Sequence, residues 1–161
     1  ICPMGNHERR MLDFITSPQL VAGWLRSGGD ATLASFGLAS SDSTETHTEA
    51  LLEGLGQEMH HWLTQLPLKW LSEGLLAVHA AADPAAEPEQ QNEQALLWGH
   101  RDFGRHPRQD GIWVACGHVI VPEPLAEMGR IAVDTGAWHT GVLSAAWLDG
   151  NGLRFLQVSA D

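Results

Sequence analysis

The spacing of apolar residues changes character at Pro67. Before it, apolar residues recur with helical spacing, which predicts a helix over Glu8–Phe14, a second one capped by Ser17-Pro18 and stopped by Gly28-Gly29, and a third from about Thr48 to Gln65. The four residues ahead of the first helix, Ile1-Cys2-Pro3-Met4, have the composition of a strand end. We therefore expect a largely helical first half.

After Pro67 the apolar runs are short and are separated by turn residues, a pattern typical of strands. Leu68–Leu71 and Leu75–Val78 predict a hairpin, and Asp149-Gly150-Asn151-Gly152 predicts the turn of a second one. Further strands are expected near residues 112–116, 130–133, 142–148 and 153–158, with a short helix at 93–98. We expect these strands to be antiparallel, and the acidic, proline-bearing segment 81–93 to be a solvated loop.

Length and composition are those of one ordinary core. The chain has 161 residues, of which 43% are hydrophobic, so we predict a single domain over residues 1–161. No apolar run approaches the roughly 20 residues that span a bilayer, and no secretory leader opens the chain, which favours a soluble, cytoplasmic protein. Cys2 and Cys116 both fall in predicted buried strands, a setting that suits reduced thiols better than a disulfide.

The charge balance limits the partners. A net charge of −11, with nine Lys and Arg in total, argues against general attraction to nucleic acid or to an anionic membrane. A phosphate-bearing substrate is still compatible with this surface, because metal ions and individual arginines can hold a phosphate locally.

Three short segments carry the candidate chemistry. Gly5-Asn6-His7-Glu8 places an amide, an imidazole and a carboxylate on a predicted strand-to-helix turn, while His79 and His118 each close a predicted buried strand. A lone histidine is more often structural, but the recurrence at two strand ends favours a shared site. One amide oxygen and two imidazoles form a ligand set for a borderline divalent metal such as Mn, Fe, Zn or Co.

Other polar and aromatic residues allow two interpretations. Asp134 is either a turn former or a partner that orients a ligand histidine. The three arginines at 101, 105 and 108 are either solvated or, if one points inward, able to bind a phosphate group through two parallel hydrogen bonds. The tryptophans at 24, 62, 70, 113 and 147 are expected in the core, and His47 in a solvated loop.

Taken together and in order, the motifs Gly5-Asn6-His7-Glu8, Val78-His79-Ala80, Gly117-His118 and Asp134-Thr135-Gly136-Ala137 resemble the metallophosphoesterase superfamily. More narrowly, they resemble its phosphoprotein phosphatase branch. The segments 24–37 and 117–124 are similar to ones found in the small bacterial serine/threonine phosphatases of that branch. The resemblance extends over essentially the whole chain.

The resemblance implies an α/β fold, the calcineurin-like metallophosphoesterase sandwich in which two mixed β-sheets are flanked by helices. It implies a centre of two divalent metals, with Mn the first choice and Fe, Zn, Co or Ni as alternatives, that clamps the phosphate and activates a water molecule. By resemblance Asn6, His79 and His118 are ligands of the second metal. His7 is the general acid that protonates the leaving group, with Glu8 as its orienting partner.

The sequence departs from the family pattern in its missing early motifs and at a few single residues. Family members carry two earlier motifs, an Asp-x-His and an Asp-Arg pair, that supply the first metal site, and this chain begins after both. We therefore expect the C-terminal portion of a larger protein, incomplete at its N-terminus, without the first βαβ region and poorly active alone. Met4 replaces a frequent basic residue. His100 occupies the position of a phosphate-binding arginine, for which Arg101 substitutes after a one-residue shift.

The resemblance implies an enzyme of the serine/threonine protein phosphatase type. The expected reaction is hydrolysis of phosphomonoesters, with phosphoserine and phosphothreonine in proteins, or a small phosphoester, as substrate. The alternatives are a dinucleoside polyphosphate hydrolase of the diadenosine tetraphosphate type and, for the chain as it stands, a non-catalytic binding domain.

Overall fold

The computed structural model describes residues 1–17, 22–38 and 44–160. Within these, the chain forms two compact units: Cys2–Pro67, called the helical unit below, and Leu68–Asp161 together with Ile1, called the sheet unit. The expectation of one partial domain over residues 1–161 stays a prediction.

The helical unit follows the predicted pattern with two differences. Its elements are α1 (Asn6–Thr16), α2 (Ala22–Trp24), a π-helical turn (Leu25–Gly29), α3 (Asp30–Ser35) and α4 (Thr44–Thr64). The expected strand at residues 1–4 is wrong: this segment has no regular structure, and the Met4 backbone N–H donates to the Pro67 carbonyl. Residues 18–21, where the second helix was expected to begin, lie outside the described residues.

Gly28 and Gly29 redirect the chain instead of ending the helical region. Gly28 has φ +97°, a conformation that glycine adopts without steric cost, and it interrupts the turn that joins α2 to α3. At Gly29 a Cβ atom would lie 2.5 Å from the Trp24 indole, so only glycine allows this close approach. Trp24 thereby becomes the centre of a small core with Phe14, Leu33 and Leu51.

The sheet unit contains two sheets. Sheet A is five-stranded, and its strands lie in the order β1-β2-β3-β5-β4; sheet B is the β6–β7 hairpin. The strands are β1 (Lys69–Ser72), β2 (Leu75–Val78), β3 (Trp113–Cys116), β4 (Leu125–Glu127), β5 (Arg130–Ala132), β6 (Val142–Asp149) and β7 (Gly152–Ser159). The helices are a 3₁₀ turn (Pro88–Gln90), α5 (Glu93–Trp98) and α6 (Ala137–Thr140).

The direction of the strands differs from the expectation. Both hairpins, β1–β2 and β6–β7, are antiparallel as predicted, but β2 pairs with β3 in parallel and β3 pairs with β5 in parallel. The prediction of antiparallel strands is therefore wrong at the centre of sheet A. Sheet A is mixed, as the expected fold requires, whereas sheet B is purely antiparallel rather than a second mixed sheet.

Sheet A is buried against α5. Leu76, Val78, Val114, Cys116 and Ala132 form one cluster with Leu96 of α5, Ala82 and Val121. Asn92 caps α5 by accepting a hydrogen bond from the backbone N–H of Ala95, and Gly99 ends the helix at φ +107°. This packing fixes the carboxyl ends of β2 and β3.

The acidic segment 81–93 is an ordered part of the structure. Ala81, Ala82 and Pro88 are buried, and the side-chain amide of Gln91 accepts from the Asp83 N–H (2.7 Å) while donating to the Ala86 carbonyl (2.9 Å). The prediction of a solvated loop is therefore wrong at these buried positions, because one glutamine supplies the partners that water would otherwise supply.

Several aromatic residues lie on the surface. Trp24 is buried as expected, but the side chains of Trp62, Trp70, Trp113 and Trp147 are 37 to 52% exposed, so their assignment to the core is wrong. None of the helices that the structure describes is long and apolar enough to cross a membrane.

The buried guanidinium of Arg108 provides a test of the sheet unit. Its side chain is only 5% exposed; its Nε donates to Asp110, its Nη2 pairs with the same carboxylate, and its Nη1 donates to the Asp83 carbonyl at 2.9 Å. This guanidinium lowers the pKa of Asp110 below its ordinary value of 3.8. Arg108, one of the three arginines considered for phosphate binding, thus has a structural role.

We predict that Asp110→Asn lowers the free energy of unfolding by about 2 to 3 kcal/mol at pH 7, because it leaves a buried cation without its counter-charge. The Asp110 pKa is depressed in the folded state, so this contribution is complete above pH 3.8 and is lost as the pH falls below it. Urea unfolding should therefore show a smaller difference in the free energy of unfolding between the parent protein and Asp110→Asn at pH 3 than at pH 7.

The control is Asp102→Asn, which breaks the pair of Asp102 with the 87% exposed Arg101. This substitution should cost at most about 1 kcal/mol. Equal losses in the two variants would contradict the structural role of Arg108.

Candidate functional site

His79 and His118 lie next to each other at the carboxyl ends of two parallel strands. His79 follows β2 and His118 follows β3 by two residues, and the strands are aligned with Ala77 opposite Ala115. The His79 Nε2 and His118 Nδ1 atoms are 3.2 Å apart, and the ring centroids are 4.9 Å apart. The parallel pairing thus brings together two residues that are 39 positions apart in the sequence.

The backbone at His118 adopts an uncommon conformation. Its φ is +65°, and the Val119 N–H donates to the Gly117 carbonyl at 2.7 Å, so His118 is the central residue of a γ-turn. A non-glycine residue in the left-handed region costs about 1 to 2 kcal/mol. Such strain is found most often at functional sites.

The distance between the two ring nitrogens fits metal ligation as well as a hydrogen bond. Two nitrogens that each lie about 2.0 to 2.1 Å from one ion, at the angles of octahedral or tetrahedral coordination, are about 2.8 to 3.4 Å apart. The observed 3.2 Å falls in that range. Within residues 1–17, 22–38 and 44–160, no group of three or more His, Cys, Asp or Glu side chains is placed to hold a metal. A third ligand of another type, such as an amide, would be needed.

Asp134 lies beside the histidine pair. Together with His79, His118 and Ser144 it lines a cavity of about 320 Å³. Its Oδ1 accepts a hydrogen bond from the Gly136 N–H at 2.8 Å, which is the contact of a turn former, and its own carbonyl accepts from the Val121 N–H. The carboxylate is therefore held by the turn while remaining in the cavity wall.

The residues of the first motif belong to the helical unit. Asn6 is the first residue of α1 and is 4% exposed, whereas His7 is exposed. A Cβ at Gly28 would lie 3.6 Å from the His7 ring, so the glycine turn runs close to the imidazole. Glu8 lies in the first turn of α1, where a carboxylate stabilises the helix dipole whether or not it also orients His7. His7 and Glu8 line a cavity of about 370 Å³ whose other walls are mostly apolar.

His100 and Arg101 follow α5 in the sheet unit. The Asp102 N–H donates to His100 Nδ1 at 3.3 Å, which places the ring proton of a neutral imidazole on Nε2, 3.8 Å from the Asp83 carboxylate. The Arg101 side chain is 87% exposed and contacts Asp102. Both residues line a cavity of about 430 Å³ together with Trp98, whose ring lies edge-on to His118 at 6.4 Å.

One histidine differs from its sequence-based interpretation, and one arginine was not considered from the sequence. His47 is buried, and its ring lies 6.4 Å from that of Phe14, so its assignment to a solvated loop is wrong. Arg130 was not singled out, yet it lines the same cavity as His100. Strand alternation was the available signal, because it places Arg130 on the same side of β5 as the buried Ala132.

The two cysteines have different environments. Cys2 is exposed and lies in no strand, so its expected place in a buried strand is wrong, whereas Cys116 is buried in sheet A as expected. Burial raises the pKa of the Cys116 thiol to about 11, although Arg130 acts in the opposite direction. Cys116 is therefore a neutral thiol at physiological pH.

Comparison with known proteins supports the fold. The sequence matches no protein-family model and no curated protein. A crystal structure described as that of a "putative diadenosine tetraphosphatase" is similar in fold, with a TM-score of 0.61 and 16% sequence identity, over 96% of this chain and 67% of that chain. The chain thus shares the α/β fold of that structure, and the resemblance to the metallophosphoesterase superfamily and to its phosphoprotein phosphatase branch stays a prediction.

We predict that His118→Gly is less destabilising than His79→Gly by about 1 kcal/mol. Both substitutions remove the same contact between imidazoles, but only the first relieves a left-handed backbone. Chemical denaturation of the two variants measures the difference. Equal stabilities, or the opposite order, would show that the γ-turn at His118 carries no strain.

Proposed function

We propose that this chain provides part of the active site of a metal-dependent phosphoesterase. The observation that carries the proposal is the 3.2 Å separation of the His79 and His118 ring nitrogens at the carboxyl ends of adjacent parallel strands. Ligand sites of α/β proteins gather at this end of the sheet. The similar structure described as a "putative diadenosine tetraphosphatase" supports a reaction of the phosphoesterase type.

In this proposal His79 and His118 each give a ring nitrogen to one divalent ion, and the motif resemblance adds the amide oxygen of Asn6 as a further metal ligand. Mn is the preferred ion, with Fe, Zn, Co or Ni as alternatives, and the intact centre would hold a second ion. The bound metal would stabilise charge on the phosphoryl group and activate water. The strained γ-turn at His118 supports this assignment, since it fixes the direction of the ring at a cost in stability.

His7 is proposed as the proton donor to the leaving group. It lies in the first turn of α1 and is exposed, so a substrate can reach its ring, and imidazole can donate a proton near neutral pH. Glu8 would orient this ring, and Asp134 would orient a ligand histidine from the wall of the neighbouring cavity. His100 and Arg101 would contact the phosphate. The His100 ring would then contact the substrate instead of the Asp83 carboxylate, from which it lies 3.8 Å away.

Two substrate classes follow from different observations. The motif resemblance favours phosphomonoesters, above all phosphoserine and phosphothreonine in proteins. The similar structure, which is described as a diadenosine tetraphosphatase, favours a dinucleoside polyphosphate. Turnover of a phosphoserine peptide against diadenosine tetraphosphate, measured with Mn²⁺ present, distinguishes the two classes. A metal-binding chain that hydrolyses neither substrate would instead be a non-catalytic binding domain.

We predict that the 161-residue chain binds at most one Co²⁺ or Mn²⁺ ion, and does so weakly. His79→Ala and His118→Ala should each weaken this binding by more than about 100-fold, since each removes a direct ligand. The absorption spectrum of Co²⁺ on titration provides the measurement. Turnover should be low in all cases, because by resemblance only one of the two metal sites has its ligands in this chain.

His106→Ala is the matched control, because His106 is an exposed histidine of the same unit. It should leave the titration unchanged. Metal binding that survives both ligand substitutions would refute the histidine pair as a metal site, and robust hydrolysis by the chain alone would refute the assignment of half of the ligands to another segment.

A further inference from the structure

One cavity of the sheet unit is lined by two arginines. It measures about 430 Å³, lies entirely within the sheet unit, and is lined by Arg130, Arg101 and His100 together with Trp98 and Phe103. Gly117 lines this cavity as well as the smaller one that contains His79 and His118. The two cavities are therefore neighbours at the same end of β3.

Arg130 occupies an unusual position for a charged residue. It is the first residue of β5, opposite Val114, and alternation places it on the same side of the strand as Ala132, which belongs to the apolar core. Its side chain is 23% exposed. A guanidinium on the core side of a sheet needs a specific partner, because charged groups are expensive to bury.

The hydrogen-bonding capacity of this guanidinium is only partly used. Its Nη2 donates to Glu127 Oε1 at 2.9 Å, but Glu127 is itself 56% exposed. Its Nε is buried, and the described residues offer it no hydrogen-bond acceptor. The Nε–Nη2 edge is the one that a carboxylate or phosphate engages with two parallel hydrogen bonds.

The loop above Arg130 is shaped to fit it. A Cβ at Gly104 would lie 2.7 Å from Arg130 Nη1, and Gly104 has φ +76°, so the loop passes close to the guanidinium in a backbone conformation that favours glycine. The loop backbone thus encloses Arg130 on one side and leaves the cavity on another.

We propose that this cavity is an anion subsite in which Arg130 binds a second phosphoryl group of the substrate, next to the scissile group that Arg101 contacts at the rim. The inference rests on the proposed function, which places the scissile phosphoryl group beside His79 and His118. It extends the substrate class to phosphoanhydrides, whose phosphoryl groups are directly linked and can occupy two adjacent cavities. A simple phosphomonoester would leave the subsite empty.

Three carboxylates lie near the cationic residues of the subsite and would repel a bound anion. Glu127 shares the Arg130 guanidinium, Asp102 contacts Arg101, and Asp83 lies near His100. Of these, Glu127 competes directly for the Nε–Nη2 edge. Removing its charge should therefore strengthen anion binding, an effect that a merely structural Arg130 would not show.

The test is the binding of inorganic tripolyphosphate to the metal-free 161-residue chain at low ionic strength with a chelator present. Calorimetry gives the affinity, and the NMR signal of the arginine Nε–H groups reports the contact directly. We expect the Arg130 Nε–H signal to shift on addition of tripolyphosphate until binding is saturated. Arg130→Gln should weaken binding about tenfold, and Glu127→Gln should strengthen it several-fold. Orthophosphate should bind more weakly than tripolyphosphate.

Arg154→Gln is the matched control, since Arg154 is a 68% exposed arginine of the same unit and pairs with Asp149. It should leave the affinity unchanged. An unshifted Arg130 signal, a Glu127→Gln variant that binds no better than the parent, or equal losses for Arg130→Gln and Arg154→Gln would overturn the subsite. If Arg130→Gln fails to fold, the Arg130 Nε–H signal of the parent chain and the tripolyphosphate affinity of Glu127→Gln still test the subsite. Because no metal is present, these outcomes are independent of the Co²⁺ titration that tests the proposed function.

Discussion

The parallel pairing of β2 with β3 is the constraint on which the candidate site depends. Two strands that run in the same direction end at the same edge of the sheet, so the residues that follow them become neighbours. His79 and His118 are 3.2 Å apart for this reason alone. In an antiparallel arrangement of the same strands, the two rings would lie at opposite edges. The core that α5 forms with sheet A therefore serves the site, since it holds the two strands in register.

The sequence was sufficient to predict elements whose signals are local. α5 is found over Glu93–Trp98 as expected, because a capping asparagine precedes it and a glycine follows it. The turn between β6 and β7 is likewise coded by Asp149-Gly150-Asn151-Gly152. The direction of β3 relative to β2 has no local signal. It depends on the crossover through α5 and the loop that follows, so the expectation of antiparallel strands failed there.

The proximity of candidate site residues could be predicted where they coincide with the end of a strand, whereas their roles stay predictions. His79 and His118 were recognisable because each closes an apolar run. Arg130 was not, because strand alternation, the signal that marks it, extends over only the three residues of β5. His100 was expected to face a phosphate, but its relation to Asp83 depends on how the segment 81–93 folds back, which sequence spacing does not encode.

The γ-turn at His118 has an evolutionary consequence. As long as the imidazole is needed, selection keeps a residue that its own backbone disfavours. In a descendant that has lost the activity, this restraint disappears, and glycine or asparagine becomes the better residue at that position, whereas His79 gains nothing from replacement. The identity of the residue at position 118 would then separate working descendants from degenerate ones before any other part of the site had changed.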